Sequence, residues 1–161
     1  PNLQYVIAGG WALNSSREAH LRALVERHGL AGRVTFTGFI DERELVEVYG
    51  RASLFVMIGR EIAERGWVEG FGISYLEAAA SGLPIVASDT GGVRDAVTDE
   101  NAVLVPPDDP RAAADAIAAL LDDSARQDKM ALAGIAWANS NTWRRKVGEG
   151  ARIMEELCHT K

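Results

Sequence analysis

Five short apolar runs, each followed by a helix-patterned segment, limit how this chain can fold. The runs are Leu3 to Ala8, Arg33 to Thr37, Leu54 to Ile58, Pro84 to Ala87 and Ala102 to Val105. Helix patterns cover Arg17 to His28, Glu42 to Arg51, Ile73 to Ser81, a short piece through Val97, Arg111 to Leu121, Ser124 to Asn139 and Thr142 to Leu157. Parallel strands need a crossover of this kind, and helices supply it. The alternation therefore predicts an α/β fold: a doubly wound parallel sheet with helices on both faces. The 161 residues are one domain's worth of chain, so a single domain over residues 1–161 is expected.

Local signals mark where these elements start and stop. Ser15 or Ser16 suits the N-cap of the first helix, and Gly29 ends it. Asp41 suits the next cap, with Glu44 at the capping-box position. Gly82 suits the left-handed residue after the third helix, and Pro84 cannot continue it. Asp109 precedes Pro110 at the first helical position of the Ala-rich helix.

Ligands of doubly wound sheets bind beyond the carboxyl ends of the strands. Gly9-Gly10, Gly38-Phe39, Gly59, Ser88-Asp89-Thr90 and the loop before Phe71 all lie at such ends. The densest chemistry is in Glu69-Gly70-Phe71-Gly72-Ile73-Ser74-Tyr75-Leu76-Glu77. Two carboxylates eight residues apart bracket a Gly-rich loop and a helix start. The first N–H groups of a helix lack intrahelical partners, and that end is partly positive. Glycines let a ligand come close to the backbone, so an anion can be held there. Glu77 falls in the second turn and can point back to the same opening, where an ionised carboxylate accepts from a pair of vicinal hydroxyls. A plain Gly-rich loop with both glutamates solvated is the competing reading, and Phe71 and Ile73 are also candidates for core packing.

The run Glu69-Gly70-Phe71-Gly72-x4-Glu77-Ala78-x-Ala80-x-Gly82-x-Pro84-x-Val86-Ala87, then Thr90-Gly91-Gly92-Val93-x-Asp95, resembles the signature of the retaining glycosyltransferases of family 4. Tyr5-Val6-Ile7-Ala8-Gly9-Gly10, Arg33-Val34-Thr35-Phe36-Thr37-Gly38-Phe39 and Leu45…Tyr49…Ala52 extend the similarity over nearly the whole chain. That family has the GT-B architecture of two facing Rossmann-like domains, and the match lies in its C-terminal, donor-binding domain. The resemblance implies transfer of a sugar from a nucleotide diphosphate sugar to an acceptor hydroxyl, with retention. UDP- and GDP-sugars are both implied as donors, with no metal or other cofactor. Glu69 is implied as the catalytic carboxylate that contacts the transferred sugar, and Glu77 as the ligand of the ribose hydroxyls. Phe71, Gly72 and Ile73 would act through backbone N–H groups. Gly9 and Gly10 would lie against the nucleotide, Phe39 and Ile40 would line the base pocket, and Leu45 would pack near the ribose. An ordinary turn for the two glycines, and core packing for those three apolar residues, remain open beside this.

Two departures stand out. Arg94 replaces a common Pro after Gly92, and Ile58 replaces a Pro at the end of the third strand. The family's first strand, with its Gly-rich turn and its Arg and Lys phosphate clamp, has no counterpart before Pro1. The expected sheet therefore lacks its first, central strand. On this reading the chain is a fragment of a two-domain enzyme without the acceptor domain, which would be its partner. Alone it would bind donor weakly and transfer nothing.

Composition narrows the alternatives. Net charge is −6 and no basic stretch appears, which argues against nucleic acid as a partner. No apolar run is long enough for a transmembrane helix, and no signal peptide is visible. Cytoplasmic placement is expected, with peripheral membrane contact only through the absent domain. Cys158 is the single cysteine, and His20, His28 and His159 lack metal-ligand spacing. Trp11, Trp67, Trp137 and Trp143 share no helical spacing and read as mixed core and surface, while Arg60, Glu61, Glu64 and Arg65 sit in a polar loop. A nicotinamide-binding domain would need G-x-G-x-x-G after the first strand, and Gly9-Gly10-Trp11 does not supply it. The alternative from a different class is a non-catalytic nucleotide-binding or protein-interaction module.

Overall fold

The computed structural model describes residues 3–10, 15–61 and 68–159. Trp11, Glu64, Arg65 and Trp67 lie outside the described residues. The chain divides into two compact units, Pro1–Val48 and Tyr49–Lys161.

The first unit holds β1 (Tyr5–Ala8), α1 (Ser15–Arg27), β2 (Val34–Gly38) and most of α2 (Glu42–Arg51). β1 and β2 pair in parallel, Tyr5 opposite Val34 and Ile7 opposite Phe36. The register shifts after Ile7, so Ala8 faces Gly38. α1 stops just before Gly29, whose φ of 64° is a left-handed value glycine adopts without cost. The Arg22 guanidinium of α1 lies 4.4 Å over the Phe36 ring and ties helix to strand. The reciprocal cap of α2 forms as its sequence predicts. The Glu44 amide donates to Asp41 Oδ1 at 2.8 Å, and the Asp41 amide donates to Glu44 Oε2 at 3.1 Å.

The second unit holds β3 (Phe55–Met57), α3 (Ile73–Ala80), β4 (Ile85–Ser88), α4 (Val93–Ala96), β5 (Ala102–Val105), α5 (Pro110–Leu121), α6 (Ser124–Ser140) and α7 (Trp143–His159). β4 lies between β3 and β5, all parallel. Successive β4 side chains point to opposite faces, and each face is covered. Ile85 and Ala87 pack with Tyr75, Ala78 and Ala79 of α3, and Val86 packs with Leu120 of α5 and Met130 of α6. α6 comes close to α3 at Gly134, where an added Cβ would meet Ala79 Cα and O at 3.4 Å. Asp109 caps α5, accepting from the amides of Arg111 (3.1 Å) and Ala112 (2.9 Å), with Pro110 at its start.

The α/β alternation, the parallel pairing and the helices on both faces match the expected fold class. The five strands form two ladders, β1-β2 and β3-β4-β5, and β1 and β3 are edge strands of their ladders. The first strand begins at Tyr5 rather than Leu3 and the third spans Phe55–Met57 rather than Leu54 to Ile58, while the second and fourth each begin and end one residue later than their apolar runs.

α7 buries none of its residues, and Trp143, Val147, Met154 and Leu157 are exposed along it. Trp137 is half-buried, its indole donating to the Ala96 carbonyl at 2.8 Å. Of the two described tryptophans, one is half-buried and the other exposed, and neither belongs to the core clusters. No helix among the described residues is long and apolar enough to cross a membrane.

Candidate functional site

The sequence-predicted residues fall into two groups, one in each compact unit. In the first unit the structure brings Gly9, Gly10, Gly38 and Phe39 together beyond β1 and β2. The Gly9 amide donates to the Gly38 carbonyl at 3.2 Å. A Cβ on Gly10 would lie 3.4 Å from Phe39 Cβ, so the two backbones run side by side. Phe39 is 87% exposed, so core packing does not hold for that residue. Ile40 and Leu45 are half-buried on either side of the Asp41 cap.

In the second unit Glu69, Phe71, Gly72 and Ile73 lie at the start of α3, and Glu77 stands one turn along it. Gly72 is the N-cap, in the left-handed region at φ 86°, ψ 71°, and no side chain caps the helix. The first helical N–H groups are therefore presented at an uncapped, partly positive end. The Glu69 carboxyl carbon lies 3.6 Å from the point a Gly72 Cβ would occupy, so this carboxylate stands at the helix mouth. The Tyr75 ring fills the other side of that space, in contact with where the Cβ would be. Phe71 is half-buried and packs on the core, while Ile73 is 53% exposed, so core packing holds for the first and not for the second.

The loop that carries Glu69 is fixed from behind by the Gly91-Gly92 turn. The Gly92 amide donates to the Glu69 carbonyl at 2.8 Å. A Cβ on Gly91 would sit 2.5 Å from that same oxygen, and one on Gly92 would collide with the Gly70 carbonyl. Two glycines are needed because two backbones meet there with no room for a side chain. The Gly91 amide also donates to Glu61 at 2.5 Å.

Neighbouring strand ends add polar groups. The Gly59 amide donates to Ser88 Oγ at 2.8 Å. Arg60 pairs with Asp108 at 3.2 Å, so this loop arginine has a carboxylate partner within the unit. Arg94, the departure from proline, forms a fork on Asp89, with Nε to Oδ1 at 2.7 Å and Nη2 to Oδ2 at 2.6 Å. The turn is braced by this pair where a proline would have stiffened it.

One participant was not picked out by sequence reasoning for this group. Tyr49, in the last turn of α2, donates its phenol O–H to Glu77 Oε2 at 3.0 Å. Its ring stacks toward Phe55 with centroids 6.0 Å apart, and Phe55 meets Tyr75 edge-on at 5.8 Å. The Tyr75 hydroxyl donates to the Met57 carbonyl at 3.1 Å. Burial, with the Glu69 charge adding to it, pushes the Tyr75 phenol up to about 12. Burial first, then the adjacent Glu77 charge, raises the Tyr49 phenol above its ordinary value, so it stays a proton donor throughout the physiological range. In the sequence Tyr49 stood only within the stretch Leu45…Tyr49…Ala52, with no role attached to it. Among the described residues no three His, Cys, Asp or Glu side chains come together as a metal site requires.

The start of α3 is thus an uncapped helix end with the Glu69 carboxylate beside it, in a parallel α/β layer. The chain belongs to the family of glycosyl transferases group 1, whose profile matches residues 1–137. It is 32% identical over 168 residues to the D-inositol 3-phosphate glycosyltransferase of Corynebacterium diphtheriae, an alignment covering 99% of this chain and 38% of that protein. It is 37% identical over 142 residues to the GDP-mannose-dependent alpha-(1-6)-phosphatidylinositol monomannoside mannosyltransferase of Mycobacterium tuberculosis, covering 86% of this chain and 35% of that one. Among solved structures it is similar to the sucrose-phosphate synthase of Thermosynechococcus elongatus, with a TM-score of 0.81 and 28% identity over 98% of this chain and 39% of that one. The chain thus spans less than two-fifths of the length of these relatives. The fold is the α/β arrangement of GT-B glycosyltransferases.

Proposed function

We propose that residues 1–161 form the C-terminal, donor-binding domain of a retaining family 4 glycosyltransferase, which moves a hexose from a nucleotide diphosphate sugar to an acceptor hydroxyl. The observation that carries this reading is the helix mouth itself: Gly72 left-handed and uncapped, with Glu69 beside it and Glu77 one turn further along. In this reading the α3 N-terminus faces the diphosphate. The amides of Phe71, Gly72 and Ile73 donate to phosphate or sugar oxygens as negative charge grows on the leaving group, which favours the transition state over the ground state. Glu69 accepts hydrogen bonds from hydroxyls of the transferred sugar and fixes its reacting carbon. Glu77 accepts from the two ribose hydroxyls. In the first unit Gly9 and Gly10 lie against the nucleotide, Phe39 and Ile40 take the base, and Leu45 packs by the ribose. No metal or other cofactor is needed in this scheme. The acceptor hydroxyl is bound by the acceptor domain of the longer enzyme, whose relatives extend well beyond this chain. That enzyme acts in the cytoplasm, meeting the membrane surface through its acceptor domain, and nucleic acid is not among its partners.

Support for the donor class comes from named relatives, which include a GDP-mannose-dependent enzyme at 37% identity. The test is an amide NMR titration of the chain with GDP, UDP and their hexose conjugates at millimolar concentration. Saturable shifts at Gly72, Ile73 and Glu77 with one base are expected, with no turnover by the chain alone. A dispersed spectrum that no nucleotide moves would overturn the donor reading in favour of a protein-interaction module.

A further inference from the structure

We infer that Tyr49 is a positioning residue that sets the carboxylate of Glu77 for a vicinal diol, and so determines how strongly the site prefers ribose over 2′-deoxyribose. The inference rests on the donor-site reading of Glu77 and adds to it the group that orients this side chain. Glu77 is exposed on α3, and a free glutamate there would spread over several rotamers. A carboxylate that must meet two adjacent hydroxyls at once has one useful orientation. The structure supplies a device for holding it. The Tyr49 O–H engages Oε2 at 3.0 Å.

The support behind this device is stiff. Tyr49 is half-buried, its ring lies against Phe55, and Phe55 lies against Tyr75, which is 1% exposed. Tyr75 is in turn pinned to the β3 backbone at Met57. A row of three rings thus runs from the core of the second unit to the carboxylate. One hydrogen bond uses one of about four acceptor positions on a carboxylate. Oε1 and the remaining lone pair of Oε2 are left for a ligand, and two acceptors in one plane are what a cis diol requires. The bond also removes rotamer freedom from Glu77 before the ligand arrives, so less ordering remains for binding to impose.

The test uses the full chain and four nucleotides: GDP, UDP and the 2′-deoxy form of each. Tyr49→Phe keeps the ring against Phe55 and deletes only the donor. Glu77→Gln is the control for the site. Binding is followed by amide shifts, and urea midpoints check that each variant is folded. The unmodified chain is expected to prefer the ribonucleotide, and Glu77→Gln to abolish the preference. Tyr49→Phe should cut it about three- to tenfold, within the net worth of one ordinary intramolecular hydrogen bond. Affinity for the deoxynucleotide should stay near that of the unmodified chain. A merely structural tyrosine would weaken both nucleotides together and leave their ratio intact.

A second measurement needs no ligand. Glu77→Gln should lower the pH at which the Tyr49 phenol ionises, read as tyrosinate absorbance against a Tyr49→Phe blank. Loss of the preference in Glu77→Gln without any change of ratio in Tyr49→Phe overturns the positioning role and leaves the donor site standing. An intact preference in Glu77→Gln, or no saturable binding of any nucleotide, overturns the ribose reading and this inference with it. An unchanged Tyr49 titration in Glu77→Gln removes the contact on which the inference stands.

Discussion

β4 and β1 are both four-residue apolar strands of a parallel ladder. All four positions of β4, Ile85–Ser88, are buried. In β1, Tyr5–Ala8, three of the four are exposed, Val6 at 43%. β4 has a strand on each side and a helix layer on each face, whereas β1 has one ladder partner. Apolar content therefore does not decide burial in a parallel sheet; the number of neighbours does. The same contrast separates the two groups of candidate residues, each within its own unit. The group around α3 rests on a closed core, and the group around Gly9 and Phe39 stands on a two-stranded ladder with an exposed aromatic.

The comparison can be broken most directly in the cores. Ile85→Ala should cost about 2–5 kcal/mol in urea unfolding, as full loss of a buried branched side chain does. Val6→Ala in β1 should cost less than about 1 kcal/mol. Equal costs would mean that β1 is buried in solution and that the contrast is false.

Gly92→Ala comes next. Its φ is ordinary at −82°, so the whole penalty is steric, from the Gly70 carbonyl. About 1–3 kcal/mol is expected, with loss of nucleotide-induced shifts at Gly72 because the Glu69 loop is displaced. Gly10→Ala, which faces Phe39 Cβ at a tolerable 3.4 Å, should be milder.

Alkaline pH sharpens the same contrast. An unfolded phenol ionises near 10, and the folded Tyr75 is held near 12. Between these values the unfolded state has shed its proton and the folded state has not, so stability falls as pH rises. Its contribution is complete below pH 10 and lost on passing through about 12. Urea midpoints measured from pH 9 to 12 should decline, and Tyr75→Phe should flatten the decline.

The smallest effects concern the caps. Asp109→Ala should cost about 1 kcal/mol and Asp41→Ala a similar amount, because each removes a local bond that does not depend on the surrounding layer. A cap effect in the first unit far below that in the second would show that α2 frays in solution.

Local chemistry was the most legible part of the sequence. The α2 and β5 spans, the Asp41–Glu44 box and the Asp109–Pro110 start appear as read, because each depends on residues within four positions of one another. The loop, helix and strand around Glu69 to Ala87 were legible for the same reason. Contacts between distant residues were not. Tyr49 is 28 positions from Glu77, Arg60 is 48 from Asp108, and nothing in either local pattern points to the other. The need for Gly91 and Gly92 was visible only as a turn, and the structure supplies the reason: a second backbone lies against them. Ile73 was read with an open choice between core and site, and the choice depended on which way the first helical turn faces. The division of five strands into two ladders is likewise a matter of neighbours and leaves no mark on any strand's own sequence.

Gly72 and Tyr75 also shape the routes by which this site can change over generations. Any side chain at position 72 meets the Tyr75 ring. Trimming that ring first opens a void under Ala78 and Ala79 and gives up the bond to Met57. Making both changes still leaves a backbone at φ 86° that only glycine holds without strain. Each first step is uphill and the second does not recover the loss. Novelty at this helix mouth must therefore come from residues around the pair, such as the exposed Ile73 or the loop bearing Glu69, rather than from the pair itself.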